Sequence, residues 1–135
     1  MDNVSLMLDT YPRDLGTIDR EKLIECIQAC FECAQVCTAC ADACLSEDHL
    51  PNLTKCIRAC LDCSDICSSV GNVLSRHTAY DANLVRAVLL ACEAVCRACA
   101  KACKPHARHH EQCRICFEAC RRCAAACREL AATLG

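Results

Sequence analysis

Residues 26–44 read CIQACFECAQVCTACADAC, and this stretch decides the fold. Its cysteines stand three or four positions apart in strict alternation, which is the spacing of the buried seam of an amphipathic helix. The a and d positions of such a seam usually hold leucine or a similar side chain, whereas here they hold cysteine. The stretch therefore predicts a long helix with one face of thiols.

The same spacing returns in three further blocks, so the pattern predicts four thiol-faced helices. In every CxxxC unit the residue just before the second cysteine is apolar, most often alanine, which widens the seam into the face that a bundle helix needs. The four blocks hold all 19 cysteines of the chain: Cys26, Cys30, Cys33, Cys37, Cys40 and Cys44; Cys56, Cys60, Cys63 and Cys67; Cys92, Cys96, Cys99 and Cys103; Cys113, Cys116, Cys120, Cys123 and Cys127.

Residues that start or stop helices lie between the blocks. Thr17 is a candidate N-cap, Pro51 suits a first helical turn, Thr78 opens a sequence that resembles a capping box, and Pro105 interrupts. The predicted helices are residues 18–46, 51–75, 79–104 and 107–133, and residues 2–10 form a short extra segment.

The short connections require each helix to run antiparallel to its neighbour in sequence. We therefore expect one all-α domain over residues 1–135, an up-down-up-down four-helix bundle with a cysteine-lined core.

The two ends of this bundle differ when the seam is continued past the cysteines. At one end it becomes aliphatic, which predicts an ordinary hydrophobic cluster that we call the plug. The plug consists of Leu23, Val70, Leu74, Val85, Leu89, Leu130 and Leu134. At the other end, which we call the mouth, the extended seam reaches His49, His106, His109 and His110.

The histidines predict where metal enters and leaves. Imidazole is intermediate in softness between carboxylate and thiolate, so His49, His106, His109 and His110 are candidate ligands that pass ions to the cysteines. The alternative is that the three histidines after Pro105 are solvated loop residues. His77 falls at the plugged end and is expected to be structural.

Composition and charge limit the binding partners and the cellular compartment that we expect for the chain. The net charge is −2, so nothing indicates nucleic-acid binding. The first residues lack the basic start of a secretory signal, and no run of apolar residues indicates a membrane span. A cysteine content of about 14% in such a chain predicts a reducing, cytoplasmic setting in which the thiols bind metal.

Charge favours a monovalent metal. Thiolates bind metal, and up to 19 buried negative charges need compensation. Zn²⁺ takes four thiolates per closed site, which leaves each site negative and uses the cysteines in about four sites. Cu(I) is selected by soft thiolates, and bridging sulfurs allow roughly one ion per cysteine. The sequence therefore predicts many Cu(I) ions along the core, with a metallothionein-like zinc store or thiol buffer as the alternative.

Two other interpretations are weaker. Cysteine serves as a small core hydrophobe in many proteins, but nineteen of them confined to the seam are not explained in that way. The chain also offers no Ser-His-Asp set, carboxylate pair or glycine-rich phosphate loop, so we expect it not to be an enzyme.

The four cysteine blocks, ECIQACFECAQVCTACADAC, KCIRACLDCSDIC, ACEAVCRACAKAC and CRICFEACRRCAAAC, resemble the bacterial copper storage proteins, and the resemblance covers residues 17–133. It implies a cytosolic four-helix bundle that stores Cu(I) on its cysteines, and a homo-tetramer. His106, His109 and His110 are similar to the family's mouth histidines only loosely.

Overall fold

The computed structural model describes residues 2–48 and 50–134, and these residues are almost entirely helical. Helix α1 is short and precedes four long helices, α2 to α5, and a single 3₁₀ turn lies between α4 and α5. The bounds are α1 Asn3–Asp9, α2 Arg20–Leu45, α3 Leu50–Leu74, α4 Ala82–Cys103, the 3₁₀ turn Lys104–His106 and α5 Glu111–Thr133.

Two of the predicted helix starts lie too early, because aspartates cap these helices in place of threonines. The side chain of Asp19 accepts a hydrogen bond from the Lys22 amide at 3.1 Å, so α2 begins at Arg20. Asp81 accepts from the amides of Asn83 and Leu84, at 3.0 and 3.2 Å. The predicted start at residue 79 is wrong for a further reason: Ala79 has a φ of 53°, which no right-handed helix accommodates.

The last helix also begins later than the predicted residue 107. Pro105 lies in the 3₁₀ turn that follows α4, and its ring removes an amide donor that a continuous α-helix would use. His110 is the N-cap of α5, and its carbonyl accepts from the amides of Cys113 and Arg114 at 3.0 and 3.2 Å. The three histidines of this segment therefore lie in a tight connection at the end of the bundle.

The four long helices form a closed antiparallel ring. Each packs on its neighbour in sequence, and α5 returns to pack on α2. Sulfur contacts show the direction: Cys26 near the start of α2 lies 3.7 Å from Cys127 near the end of α5, and Cys44 lies 3.7 Å from Cys113 at the opposite end. The predicted all-α bundle with a cysteine-lined core is confirmed.

Glycine allows a close approach between α2 and α3. A Cβ atom on Gly71 would lie 2.8 Å from the ring of Phe31, which is too close for any carbon contact. The far edge of the Phe31 ring, formed by Cε1, Cζ and Cε2, therefore approaches the α3 backbone at Gly71, and its apolar surface helps to hold the two helices together.

By length and composition alone, one helix in the described part of the chain is long and apolar enough to cross a membrane, namely α2. This differs from the expectation that no run would pass such a test. The reason is its cysteines, which raise the apolar character of the helix and lie buried against the other three long helices. A core helix with this packing passes the same test.

Candidate metal-storage core

All nineteen predicted cysteines point into the bundle, and all are free thiols. Each of these cysteines is at most 2% exposed. The 3-4 spacing keeps every one of them on the inner face of its helix. The core between the two ends is therefore lined mainly by cysteine, with alanine and the buried side chains of Ile27 and Ile57 beside it.

The sulfur atoms form a continuous column along the bundle axis. Neighbours one turn apart on a helix are in contact, as in Cys33 with Cys37 and Cys63 with Cys67, both at 3.7 Å. Contacts between helices are as close, and Cys67 lies 3.5 Å from the Cys96 sulfur of α4. Each bond from a bound metal to a thiolate sulfur is near ~2.3 Å. Small shifts of these side chains would bring two neighbouring sulfurs to the separation that such a metal needs.

Cys120 is near the middle of this column. Its sulfur lies 3.6 Å from that of Cys37, 3.8 Å from Cys33, 3.9 Å from Cys63 and 4.0 Å from Cys116. One side chain thus contacts sulfurs from three helices, its own included. Several thiolates could therefore coordinate an ion held at this point.

Sets of four sulfurs recur along the column, with all ligand atoms of a set within 4.8 Å of one another. The sets overlap, since Cys33 and Cys63 belong to two of them. Among the described residues such sets include Cys30, Cys92, Cys123 and Cys127; Cys33, Cys63, Cys67 and Cys96; Cys33, Cys37, Cys63 and Cys120; Cys37, Cys99, Cys116 and Cys120; Cys40, Cys60, Cys103 and Cys116.

Contacts between thiols change their acidity. The contact with Cys127, followed by that with Cys30, lowers the pKa of Cys26 to about 5. Cys56 and Cys103 approach to 3.0 Å, and this contact is the main reason that the pKa of Cys56 is lowered to about 4. Burial raises the pKa of Cys44. Some thiols of the column are therefore ready to deprotonate at neutral pH while others keep their protons.

The column has no internal counter-charge from the protein. Within residues 2–48 and 50–134 no polar or charged side chain is buried. Thiolates formed there cannot be neutralised by lysine, arginine or histidine side chains of the core, and isolated buried charges are very costly. The positive charge must come from bound cations.

Three of the four predicted histidines line one cavity at the mouth. His106, His109 and His110 surround about 510 Å³ of space together with Asn52 and Leu53. The rings of His106 and His110 lie 6.4 Å apart, and both side chains are partly buried. The predicted ligand His49 lies outside the described residues.

Two polar residues that the sequence did not single out lie beside these histidines. Glu47 is 3.3 Å from the Nδ1 atom of His110, and Gln112 donates from Nε2 to Glu47 at 3.3 Å. They are 65 positions apart in the chain, and neither belongs to the cysteine pattern. No spacing rule would have found them, because only the bundle topology brings them together.

The plug is confirmed at the other end. Its members Leu23, Leu89 and Leu130 are fully buried, and Leu134 is partly buried. Val70, Leu74 and Val85 are each at most 5% exposed. His77 lies near this end, where its ring meets Tyr11 edge-on at 5.2 Å and burial lowers its pKa.

Residues 19–132 match the family model described as "Copper storage protein". The chain belongs to the copper storage protein family. The match spans all four cysteine-bearing helices and both ends of the column. No curated protein sequence matches the chain.

Solved structures of copper storage proteins are similar over the whole bundle. The copper storage protein Ccsp from Streptomyces lividans, loaded with 10 copper equivalents, is 58% identical, with a TM-score of 0.96 over 98% of this chain and 100% of that chain. A cytosolic copper storage protein from Streptomyces lividans with five coppers is 59% identical, with a TM-score of 0.86 over 89% of this chain and all of the other. A histidine-to-alanine variant of Ccsp is 58% identical, with a TM-score of 0.87 over 89% and 100% of the two chains.

Proposed function

We propose that this chain stores many Cu(I) ions in the cytosol on the cysteine thiolates that line its core. Membership of the copper storage protein family supports storage. The similar Streptomyces lividans protein, of which a copper-loaded structure is known, supports copper as the stored metal. Under this proposal the chain is a store and not an enzyme.

The observation that carries the proposal is the sharing of sulfurs between neighbouring sets. Cys37, Cys116 and Cys120 each belong to two of the four-sulfur sets. A closed structural zinc site takes four cysteines, so overlapping sets cannot all be filled at once as separate sites of this kind. A thiolate that bridges two Cu(I) ions serves both, and the overlap then becomes an advantage.

Charge balance supports the same metal. Each thiolate adds a negative charge to a core in which the described residues bury no cation. One Cu(I) per thiolate leaves the column almost neutral, whereas one Zn²⁺ per four thiolates leaves two negative charges at every site. The capacity should therefore be on the order of the 19 cysteines.

We further propose that copper enters and leaves at the mouth. The plug closes the opposite end with fully buried leucines, so an ion would have to displace packed side chains to pass there. The mouth instead presents His106, His109 and His110 around a cavity that Asn52 and Leu53 also line. The homo-tetramer implied by the resemblance stays a prediction, which light scattering of the purified protein would check.

The competing function is a zinc store or thiol buffer of the metallothionein type. The four-sulfur sets favour it, because each one taken alone suits a tetrahedral ion. Zinc and copper differ in the number of ions that the whole column accepts. That number separates the two functions.

The test is a pair of anaerobic titrations of the reduced protein. Cu(I) is added in competition with a chromophoric Cu(I) chelator, and Zn²⁺ in competition with a zinc indicator. We expect Cu(I) binding to continue to roughly the cysteine count of 19, and zinc to stop at about four ions. Saturation with about four Cu(I) ions would refute the shared-sulfur column.

A further inference from the structure

We infer that Glu47 is the positioning residue of the mouth, and that it holds His110 and Gln112 in the arrangement through which Cu(I) passes to Cys44. This inference rests on the proposed function. It concerns the rate at which copper enters and leaves, not the number of ions that the core holds.

Each carboxylate oxygen of Glu47 has its own partner, one in the connection between α4 and α5 and one in α5. Oε2 lies 3.3 Å from Nδ1 of His110, and Oε1 accepts from Nε2 of Gln112 at 3.3 Å. Glu47 itself follows α2, so these contacts tie the end of α2 to the start of α5. One side chain thus fixes two groups of the mouth at the same time.

The backbone of His110 is already held in place. Its amide donates to the His106 carbonyl at 2.9 Å, and its carbonyl accepts from the Cys113 amide at 3.0 Å. Its imidazole makes no capping bond to α5 and is 17% exposed. The contact with Glu47 is therefore what determines how the ring is oriented.

That contact also determines which ring nitrogen is available. A carboxylate beside Nδ1 favours the neutral tautomer that carries its proton on that nitrogen and presents the lone pair of Nε2. Histidines that bind metals are commonly oriented by a carboxylate in this way. His110 is then ready to receive a Cu(I) ion on Nε2 without first exchanging a proton.

Gln112 continues the connection to the sulfur column. Its Nε2 atom lies 3.8 Å from Cys44 Sγ as well as 3.3 Å from Glu47, and Cys44 contacts the Cys113 sulfur at 3.7 Å. An amide N–H beside a thiolate stabilises its charge. Glu47 thus contacts both the imidazole of His110 and the amide that lies against Cys44, and its own negative charge attracts the incoming cation.

The experiment compares Glu47→Ala and Glu47→Gln with the wild type and with Glu32→Ala. Glu32 is a matched control because it also bridges α2 and α5, by accepting from Arg122 at 2.6 Å, but lies on the outer surface away from the mouth. Stopped-flow transfer of Cu(I) from a chromophoric chelator gives the loading rate, and the end point gives the capacity. Nitrogen-15 NMR of the metal-free protein near pH ~8 reports the tautomer of His110, identified with His110→Ala.

We expect Glu47→Ala to load roughly tenfold more slowly at unchanged capacity, in line with the removal of other carboxylates that orient ligands. The Nδ1–H tautomer of His110 should lose its dominance in this variant. Glu47→Gln keeps an acceptor oxygen and should recover part of the rate, while Glu32→Ala should behave as the wild type.

Two results would overturn the inference. One is a Glu47→Ala protein with the wild-type rate and the wild-type tautomer. The other is a Glu47→Ala protein that loads fewer ions at the normal rate, since Glu47 would then shape the store and not its entrance. A wild-type protein that binds no Cu(I) would instead refute the proposed function, and the tautomer measurement would still decide whether Glu47 orients His110.

Discussion

The two ends of the bundle share one helical register but use it for different purposes. At the plug the inner positions hold leucine and valine, and Leu23, Leu89 and Leu130 are fully buried. At the mouth the same register ends in cysteine and histidine, and a cavity of about 510 Å³ reaches the bundle end. Burial of an aliphatic side chain stabilises a fold by roughly 1.5–3 kcal/mol, and a thiol is smaller. The plug is therefore the main source of metal-free stability, and the rest of the core, up to the mouth, is left for metal binding.

The largest expected effect on stability comes from the plug. Leu74 is 2% exposed and lies about two helical turns beyond Cys67. Leu74→Ala should lower the free energy of unfolding of the metal-free protein by about 2–5 kcal/mol, because it leaves a cavity among packed side chains. Denaturant unfolding under reducing conditions measures this loss, and the Cu(I) capacity should not change.

The control for this variant is Leu84→Ala, at a leucine near the same end that is 55% exposed. It should change stability by no more than about 0.5 kcal/mol. If Leu74→Ala left stability intact and lowered capacity, the division between the two ends would be wrong.

A cysteine from the middle of the column should show the opposite pattern. Cys120 contacts four other sulfurs within 4.0 Å, so Cys120→Ala removes a bridging ligand. We expect a smaller loss of stability, about 1 kcal/mol, together with a measurable loss of bound Cu(I). Copper analysis after gel filtration gives the second number. An unchanged copper content would show that Cys120 is only a packing residue.

The smallest effect on stability is expected at the mouth. His106, His109 and His110 are partly or fully exposed, so changing all three to Ala should together lower stability by no more than about 0.5 kcal/mol. Loading and removal of Cu(I) should nevertheless become slower while the capacity stays the same. Rates equal to those of the wild type would support the alternative that these histidines are solvated loop residues.

The sequence determines the core more clearly than the connections. The 3-4 spacing predicted correctly that all 19 cysteines are buried and that the plug is aliphatic, because helical periodicity alone decides which face is buried. The predicted start of α4 was wrong, because Asp81 and not Thr78 caps this helix and because Ala79 adopts a left-handed conformation. Capping choices of this kind depend on the local backbone and not on periodicity.

The mouth shows a second limit on what the sequence can predict. The histidines could be placed there because they continue the cysteine seam. Glu47 and Gln112 could not, since their contact joins the connection after α2 to the first turn of α5. Long-range polar contacts between connections carry no periodic signal, so only the assembled bundle reveals them.

The most direct test of the central claim is the position of copper in crystals of the protein loaded stepwise with Cu(I). Anomalous difference maps at the copper edge locate each ion independently of its ligands. We expect a string of closely spaced peaks between the sulfurs, from Cys44 and Cys113 near the mouth to Cys26 and Cys127 beside the plug. Four separate peaks, each within its own set of four cysteines, or peaks confined to the outer surface, would contradict it.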